Sequence, residues 1–171
     1  MRNTDKIIKL VTAALIAAMT CVVTMLVKIP IPNSNGGYIH PGDAFVLLSG
    51  IILGPIYGGL SAGIGSMFAD LFAGYAHYMV ATFIIKLLAA MIGAFTYRHI
   101  REGSVILGGI LAGIVVTFGY FISDNIISGN FEAALAGIPF NLIQNATGII
   151  IASLLLPLLK KVPQIRNLMD K

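Results

Sequence analysis

Apolar residues in this chain come in long runs, broken by glycine, proline and short polar stretches. Read as membrane spans, which need about 20 apolar residues each, the runs predict six segments. They are about Ile7 to Val27, Asp43 to Leu53, Ile56 to Phe72, Tyr78 to Tyr97, Ser104 to Ser123 and Leu135 to Leu159. The second is too short to cross a bilayer alone as a straight helix. The "LGPIYGG" junction at Gly54 and Pro55 therefore has to turn within or near the membrane boundary, where protein must cover its backbone. The first run follows basic residues, as in a signal peptide, but it is too long for one and no small-residue cleavage site follows it; a retained span is expected.

Composition agrees with this reading. Of 171 residues, 57% are hydrophobic and 11% charged, and the mean hydropathy of +0.92 lies outside the range of soluble domains. The expected fold class is all-α: a polytopic membrane protein built as a six-helix transmembrane bundle, a single domain over residues 1–171 with little room for a soluble one. Basic residues gather at segment ends. Arg2, Lys6 and Lys9 precede the first span, Arg98 and Arg101 follow the fourth, and Lys160, Lys161, Arg166 and Lys171 follow the last. With six spans these clusters share one side, which predicts that both termini are cytoplasmic. The other side receives Asn33 to Pro41, the turn Gly74 to Tyr78 and a loop from Ser123 to Glu132; Lys28 alone departs from the charge rule. The net charge of +4 thus reads as topology and not as a nucleic-acid surface. Cys21 has no partner for a disulfide or a Cys-based metal site and reads as a packing residue. Gly59 with Gly63, and Gly109 with Gly113, stand four apart, a spacing that lets helices approach closely in lipid.

The residues that lipid should exclude carry the chemistry. Asp70 near the external end of the third span and Lys86 about two turns into the fourth are close enough in depth to pair, either as a structural lock or as ligand contacts. In the sixth span Asn141, Gln144 and Asn145 share one helical face. Their amides donate and accept, which suits a neutral, heteroatom-rich ligand, and they serve equally as interhelical hydrogen bonds. Tyr38, Tyr75, Tyr78 and Tyr120 cluster at external segment ends, as interfacial belt residues or, with Phe45 and Phe121, as a stack for a flat ring. His40 is a ligand contact or a polar loop residue, and Asp43 is placed to cap the second helix. No metal-ligand spacing is visible, and no Walker P-loop, Gly-x-Ser-x-Gly elbow or His-Glu-x-x-His occurs, which argues against an enzyme.

The stretch "GGYIHPGDAFVLLSGIILGPIYGGLSAGIGSMFADLFAGY", followed by "TFIIK", resembles the substrate-binding S component of energy-coupling factor (ECF) vitamin transporters, in the riboflavin-transporter-like branch that includes hydroxymethylpyrimidine and pyridoxine subunits. The likeness spans nearly the whole chain. It implies six helices, an outward-facing vitamin pocket, and a lid between the first two helices, here Ile29 to Gly42, with Tyr38 and His40 nearest the ligand. It also implies that Ala14 and Ala18 match an Ala-x-x-x-Ala surface that packs on a shared membrane coupling subunit; packing within the chain is the alternative. Two cytoplasmic ATPases would supply the energy, so the chain itself needs no cofactor and ATP is used by its partners. The whole subunit would topple in the membrane to carry its vitamin inward.

Amides, tyrosines, one His and Lys86 suit a small aromatic heterocycle with hydroxyls, so hydroxymethylpyrimidine or pyridoxine is expected ahead of riboflavin, in a chain without Trp. Pantothenate would need Lys86 free of Asp70. Two other classes remain open at this point. One is a self-sufficient proton- or ion-coupled transporter using Asp70 and Lys86. The other is a scaffolding subunit in which Asn141, Gln144 and Asn145 are helix glue.

Overall fold

The computed structural model of the protein describes residues 3–30, 38–100 and 104–170. Arg2, Arg101, Lys171 and the central part of the expected lid, residues 31–37, lie outside the described residues, as does the side chain of Tyr38.

Seven α-helices are present among the described residues: α1 (Asn3–Leu26), α2 (Asp43–Leu53), α3 (Pro55–Phe72), α4 (Met79–Phe95), α5 (Val105–Ser128), α6 (Phe131–Leu159) and α7 (Pro163–Met169). A five-residue π-helical turn, Thr96–Ile100, prolongs α4. The first six helices fall on the six apolar runs. Among the described residues, four stretches are long and apolar enough to cross a membrane, Asp5–Leu26, Met79–Ile100, Val105–Ser128 and Phe131–Leu159. The seventh helix was not expected. Pro163 opens it, and Leu168 turns into the core while Arg166 sits in its last turn.

Helix α2 is the centre of the molecule. All of its 11 residues except Phe45 are buried. Leu48, Ile51, Ile52 and Leu53 join Ile16, Tyr97, Leu156 and Leu168 in one core cluster; Val46 joins Ala62, Ile85, Ala89 and Val116 in another. An apolar helix with no polar face is stable only when other helices enclose it, and α1, α3, α4 and α6 do so. Its end is sharp. Gly54 adopts φ 82°, a conformation that favours glycine, and Pro55 occupies the first turn of α3, where its missing N–H costs nothing. The exposed backbone that this turn threatens to leave in lipid is covered. Arg98 donates from Nη2 to the Ile51 carbonyl at 3.4 Å, and Ser49 donates to the Gly58 carbonyl at 2.9 Å.

Small residues set the remaining contacts. An added Cβ at Gly59 or Gly63 would press on Met91 or Phe83 of α4, and one at Gly109 or Gly113 on Ile149 or Asn145 of α6. On α1, Ser61 of α3 donates to the Ala13 carbonyl at 2.7 Å, and Gly65 packs on Ala17. Ala13 and Ala17 therefore face α3, which leaves Ala14 and Ala18 on the exposed side of α1.

The expected external loop from Ser123 to Glu132 is mostly helix. Helix α5 runs to Ser128, Gly129 closes it in the left-handed region with φ 63°, and the Asn130 side chain accepts from Ala133 N–H at 3.1 Å to start α6. Two residues thus suffice for the turn, because Gly and Asn supply the C-cap and the N-cap that helix ends need. Strand structure is confined, among the described residues, to a two-residue antiparallel ladder, β1 (Ile29–Pro30) with β2 (Tyr38–Ile39), pairing Ile29 with Ile39 and Pro30 with Tyr38. This ladder folds the α1–α2 connection back over the bundle, against α6.

Candidate functional site

Side chains three or four residues apart on a helix lie on one face, and three rows built on that spacing meet between α4, α5 and α6. The α4 row is Tyr78, Thr82 and Lys86; the α5 row is Gly113, Thr117, Tyr120 and Asp124; the α6 row is Gly137, Asn141, Gln144 and Asn145. Together they form a polar seam through the bundle.

At its inner end Lys86 is fully buried. Its Nζ donates to Asp43 Oδ1 at 2.5 Å, and Gln144 Nε2 donates to Asp43 Oδ2 at 2.9 Å, so both carboxylate oxygens are engaged. This corrects two expectations. Lys86 pairs with Asp43 of α2 and not with Asp70, and Asp43 does not cap its helix: residue 42 holds the N-cap position with no side-chain cap bond. The reason is energetic. A lysine inside a low-dielectric bundle needs a counter-charge at contact distance, and the first turn of α2 brings Asp43 to it. Asp70 is buried at the end of α3, where its backbone carbonyl accepts from Tyr75 N–H at 2.8 Å. The Lys86 ammonium also lies 5.1 Å from the centroid of the Tyr120 ring, whose hydroxyl is 3.1 Å from Thr82 Oγ1.

The network continues into the α1–α2 connection. His40 donates its backbone N–H to Gln144 Oε1 at 3.1 Å. Its ring Nδ1 accepts from Gly42 N–H at 3.2 Å and lies 3.4 Å from Thr24 Oγ1 of α1. An Nδ1 that accepts is unprotonated, which places the neutral ring's proton on Nε2. Burial lowers the His40 pKa to about 4, the nearby Lys86 and Lys28 act in the same direction, and Asp43 opposes them. Gln144 thus joins the α1–α2 connection to the buried pair through the two ends of one amide.

The other amides divide. Asn145 is buried and donates from Nδ2 to the Gly113 carbonyl at 2.9 Å and to Thr117 Oγ1 at 3.0 Å, tying α6 to α5. Asn141 is half-buried and donates to the Gly137 carbonyl of its own helix at 3.3 Å. Of the aromatic residues, Tyr120 lies in the seam and Tyr78 at its mouth, while Tyr75 is at the rim, with Lys28 6.0 Å over its ring and His77 edge-on at 6.3 Å. Phe121 is turned away. It packs on Phe131 and Phe118, both exposed on the outer surface, and so does not join a ring-stacking pair with Phe45. Asp124, Thr82 and Thr117 complete the seam, and Thr24 of α1 meets the His40 ring, without having been singled out in the sequence. Thr82 and Asp124 stand four from Lys86 and Tyr120, a spacing that could have found them.

Beside the buried pair lies a cavity of about 20 Å³, lined by Asp43, Leu47, Gly109, Gly113, Asn145 and Gly148 among others. That is space for about one water molecule. Among the described residues no group of three or more His, Cys, Asp or Glu side chains is placed to hold a metal ion.

Comparison with known proteins assigns this architecture. A family model for the S component of ECF-type riboflavin transporters matches residues 4–161. The thiamine precursor transporter HmpT of Lactococcus lactis subsp. cremoris (strain MG1363) is 27% identical over 162 residues, covering 94% of this chain and 93% of that protein. An uncharacterized protein of Pyrococcus woesei is 37% identical over 141 residues, 82% of this chain and 93% of its own. Among solved structures, the S component of a bacterial ECF transporter superposes with a TM-score of 0.72 at 26% identity, covering 90% of this chain and 95% of that one. The S component for biotin from an ECF-type ABC transporter reaches 0.69 at 20% identity over 100% of this chain and 95% of its own, a likeness of fold alone. The chain belongs to the S components of ECF-type transporters, in the riboflavin-transporter family, and is a multi-pass membrane transport subunit for a vitamin or vitamin precursor, not an enzyme.

Proposed function

We propose that this subunit captures a small, uncharged, water-soluble heterocycle from outside the cell, hydroxymethylpyrimidine or pyridoxine ahead of other vitamins, and passes it inward as part of an ATP-driven importer in the cell membrane. The observation that carries the cargo class is the Lys86–Asp43 pair. With its ammonium held by a carboxylate, Lys86 is not available to a carboxylate-bearing vitamin such as pantothenate, and apart from the Asp124 carboxylate at the outer end the remaining polar groups of the seam are hydroxyls and amides suited to a neutral ligand. The likeness to a thiamine precursor transporter supports the same class. A ligand of vitamin size needs a pocket of several hundred Å³. The cargo therefore enters with an opening of the lid that His40 fastens to Gln144.

The partners in this reading are a membrane coupling subunit, which docks on the exposed Ala14 and Ala18 face of α1, and two cytoplasmic ATPases that use the ATP. The subunit acts as one domain with six spans and both termini cytoplasmic, since Lys6, Lys9, Arg98, Lys160 and Lys161 then share the inner side. The test is titration of the purified chain with hydroxymethylpyrimidine, pyridoxine, riboflavin and pantothenate, beside uptake in cells with and without the coupling module. Tight binding of one neutral heterocycle and uptake only with the module support the reading. Uptake by this chain alone, driven by a proton gradient, would show a self-sufficient transporter instead.

A further inference from the structure

Asp124 stands one turn above Tyr120 on α5, half-buried, at the outer end of the polar seam. The Tyr78 side chain, from the start of α4, lies beside its carboxylate. Its Oδ2 also faces α6 at Gly137, where an added Cβ would stand 3.4 Å from that oxygen. The Gly137 carbonyl in turn accepts from Asn141. The carboxylate thus sits where the outer ends of three helices converge, between the rim aromatics and the buried Lys86–Asp43 pair.

An ionised carboxylate accepts about four hydrogen bonds, more than the Tyr78 hydroxyl beside it can supply. The formal charges around it give the rest of the argument. Lys86 and Asp43 cancel by direct contact. Lys28 and Asp70, nearer the rim, have opposite signs. An ionised Asp124 then gives the seam and its mouth one net negative charge, at the outer ends of α4, α5 and α6.

We infer that Asp124 is a specificity-determining residue, which accepts a hydrogen bond from an N–H group of the cargo, such as the exocyclic amine of an aminopyrimidine, with Tyr78 fixing the carboxylate's orientation. The inference rests on the proposed reading of the chain as a binder of small heterocycles and narrows it to nitrogen donors. It also predicts discrimination against anionic vitamins, since a carboxylate brought beside Asp124 meets a like charge in a poorly screened site.

The experiment compares hydroxymethylpyrimidine, which carries an exocyclic amine, with its des-amino analogue, in which hydrogen replaces that amine. Pyridoxine is a third probe, and the proteins are the purified parent chain, Asp124→Asn and Tyr78→Phe. Hydrogen bonds to charged groups contribute enough for about ten- to hundredfold discrimination. The parent is expected to prefer the amine by that factor, Asp124→Asn to lose most of the preference, and Tyr78→Phe to lose part of it. The parent comparison needs no variant, and Tyr78→Phe serves if Asp124→Asn does not fold. If the parent binds both pyrimidines equally, or Asp124→Asn keeps the preference, the inference is overturned while the heterocycle reading stands. If the parent binds none of the three probes, that reading falls and takes the inference with it.

Discussion

Lys86 Nζ lies 2.5 Å from Asp43 Oδ1 in the middle of the bundle, the lysine with no exposed surface and the aspartate with 7%. Removing one member of such a pair strands the other charge in low dielectric, at a cost of about 3–5 kcal/mol. Lys86→Met and Asp43→Asn are each expected to lower the unfolding midpoint in detergent sharply. The double variant Lys86→Met with Asp43→Leu is expected to recover much of the loss, because a well-packed apolar pair carries no desolvation penalty. Single variants as stable as the parent would show that the two charges are solvated and not coupled.

How far this pair was legible in the sequence is instructive. A lone lysine inside an apolar run announces that it has a partner, and that much could be read. Which partner could not, because Asp43 and Asp70 stand at comparable depths and only the packing of α2 against α4 decides between them. The helices themselves were readable from apolar runs, and the break at Gly54–Pro55 from its residue types. The extent of α5 was not. Its polar last turn, with Ser123, Asp124 and Asn125, reads as loop until the caps at Gly129 and Asn130 are recognised. Of the amide face, Gln144 and Asn145 are buried and in the seam, but their partners are a carboxylate, a lid backbone and a neighbouring helix, none of which spacing along α6 can supply.

Gly50 offers a test of α2 as the packed centre. A Cβ there would overlap the backbone carbonyl of Ala90, and helix backbone cannot yield as a flexible side chain does. Gly50→Ala is expected to destabilise the protein by about 1–3 kcal/mol, the usual range for overpacking, even though alanine favours helix over glycine. Gly129→Ala, with open space around it, isolates the backbone effect of a positive φ and should cost less. Thermal unfolding of the two variants side by side checks both, and a Gly50→Ala protein more stable than the parent would contradict the close contact of α2 with α4.

The lid should weaken in acid. His40 has an ordinary pKa near 6.5 and is lowered to about 4 in the folded protein. Between these values the unfolded or undocked chain binds the proton more readily, so stability rises with pH through that window and is complete above it. Protonated Nδ1 would also no longer accept from Gly42 N–H and would face Lys86 and Lys28, with only Asp43 in its favour. Protease protection of the α1–α2 connection is expected to fall from about pH 7 to about pH 5. In His40→Asn it should change little over the same range. Equal pH dependence in both proteins would exclude His40 as the titrating group.

The exposed alanines of α1 separate binding from transport. Ala13 and Ala17 are engaged with α3 through Ser61 and Gly65, so a large residue there disturbs the bundle itself. Ala14 and Ala18, on the other side, have no such duty within the chain, and a flat surface of small residues lets a second helix approach closely in lipid. Ala14→Leu with Ala18→Leu is therefore expected to leave ligand affinity and the unfolding midpoint unchanged while uptake in cells that contain the coupling module is lost. Ala17→Leu, the control, should lower stability first and lose binding with it. Undiminished uptake by the Ala14 and Ala18 variant would place the coupling contact on another face of the bundle.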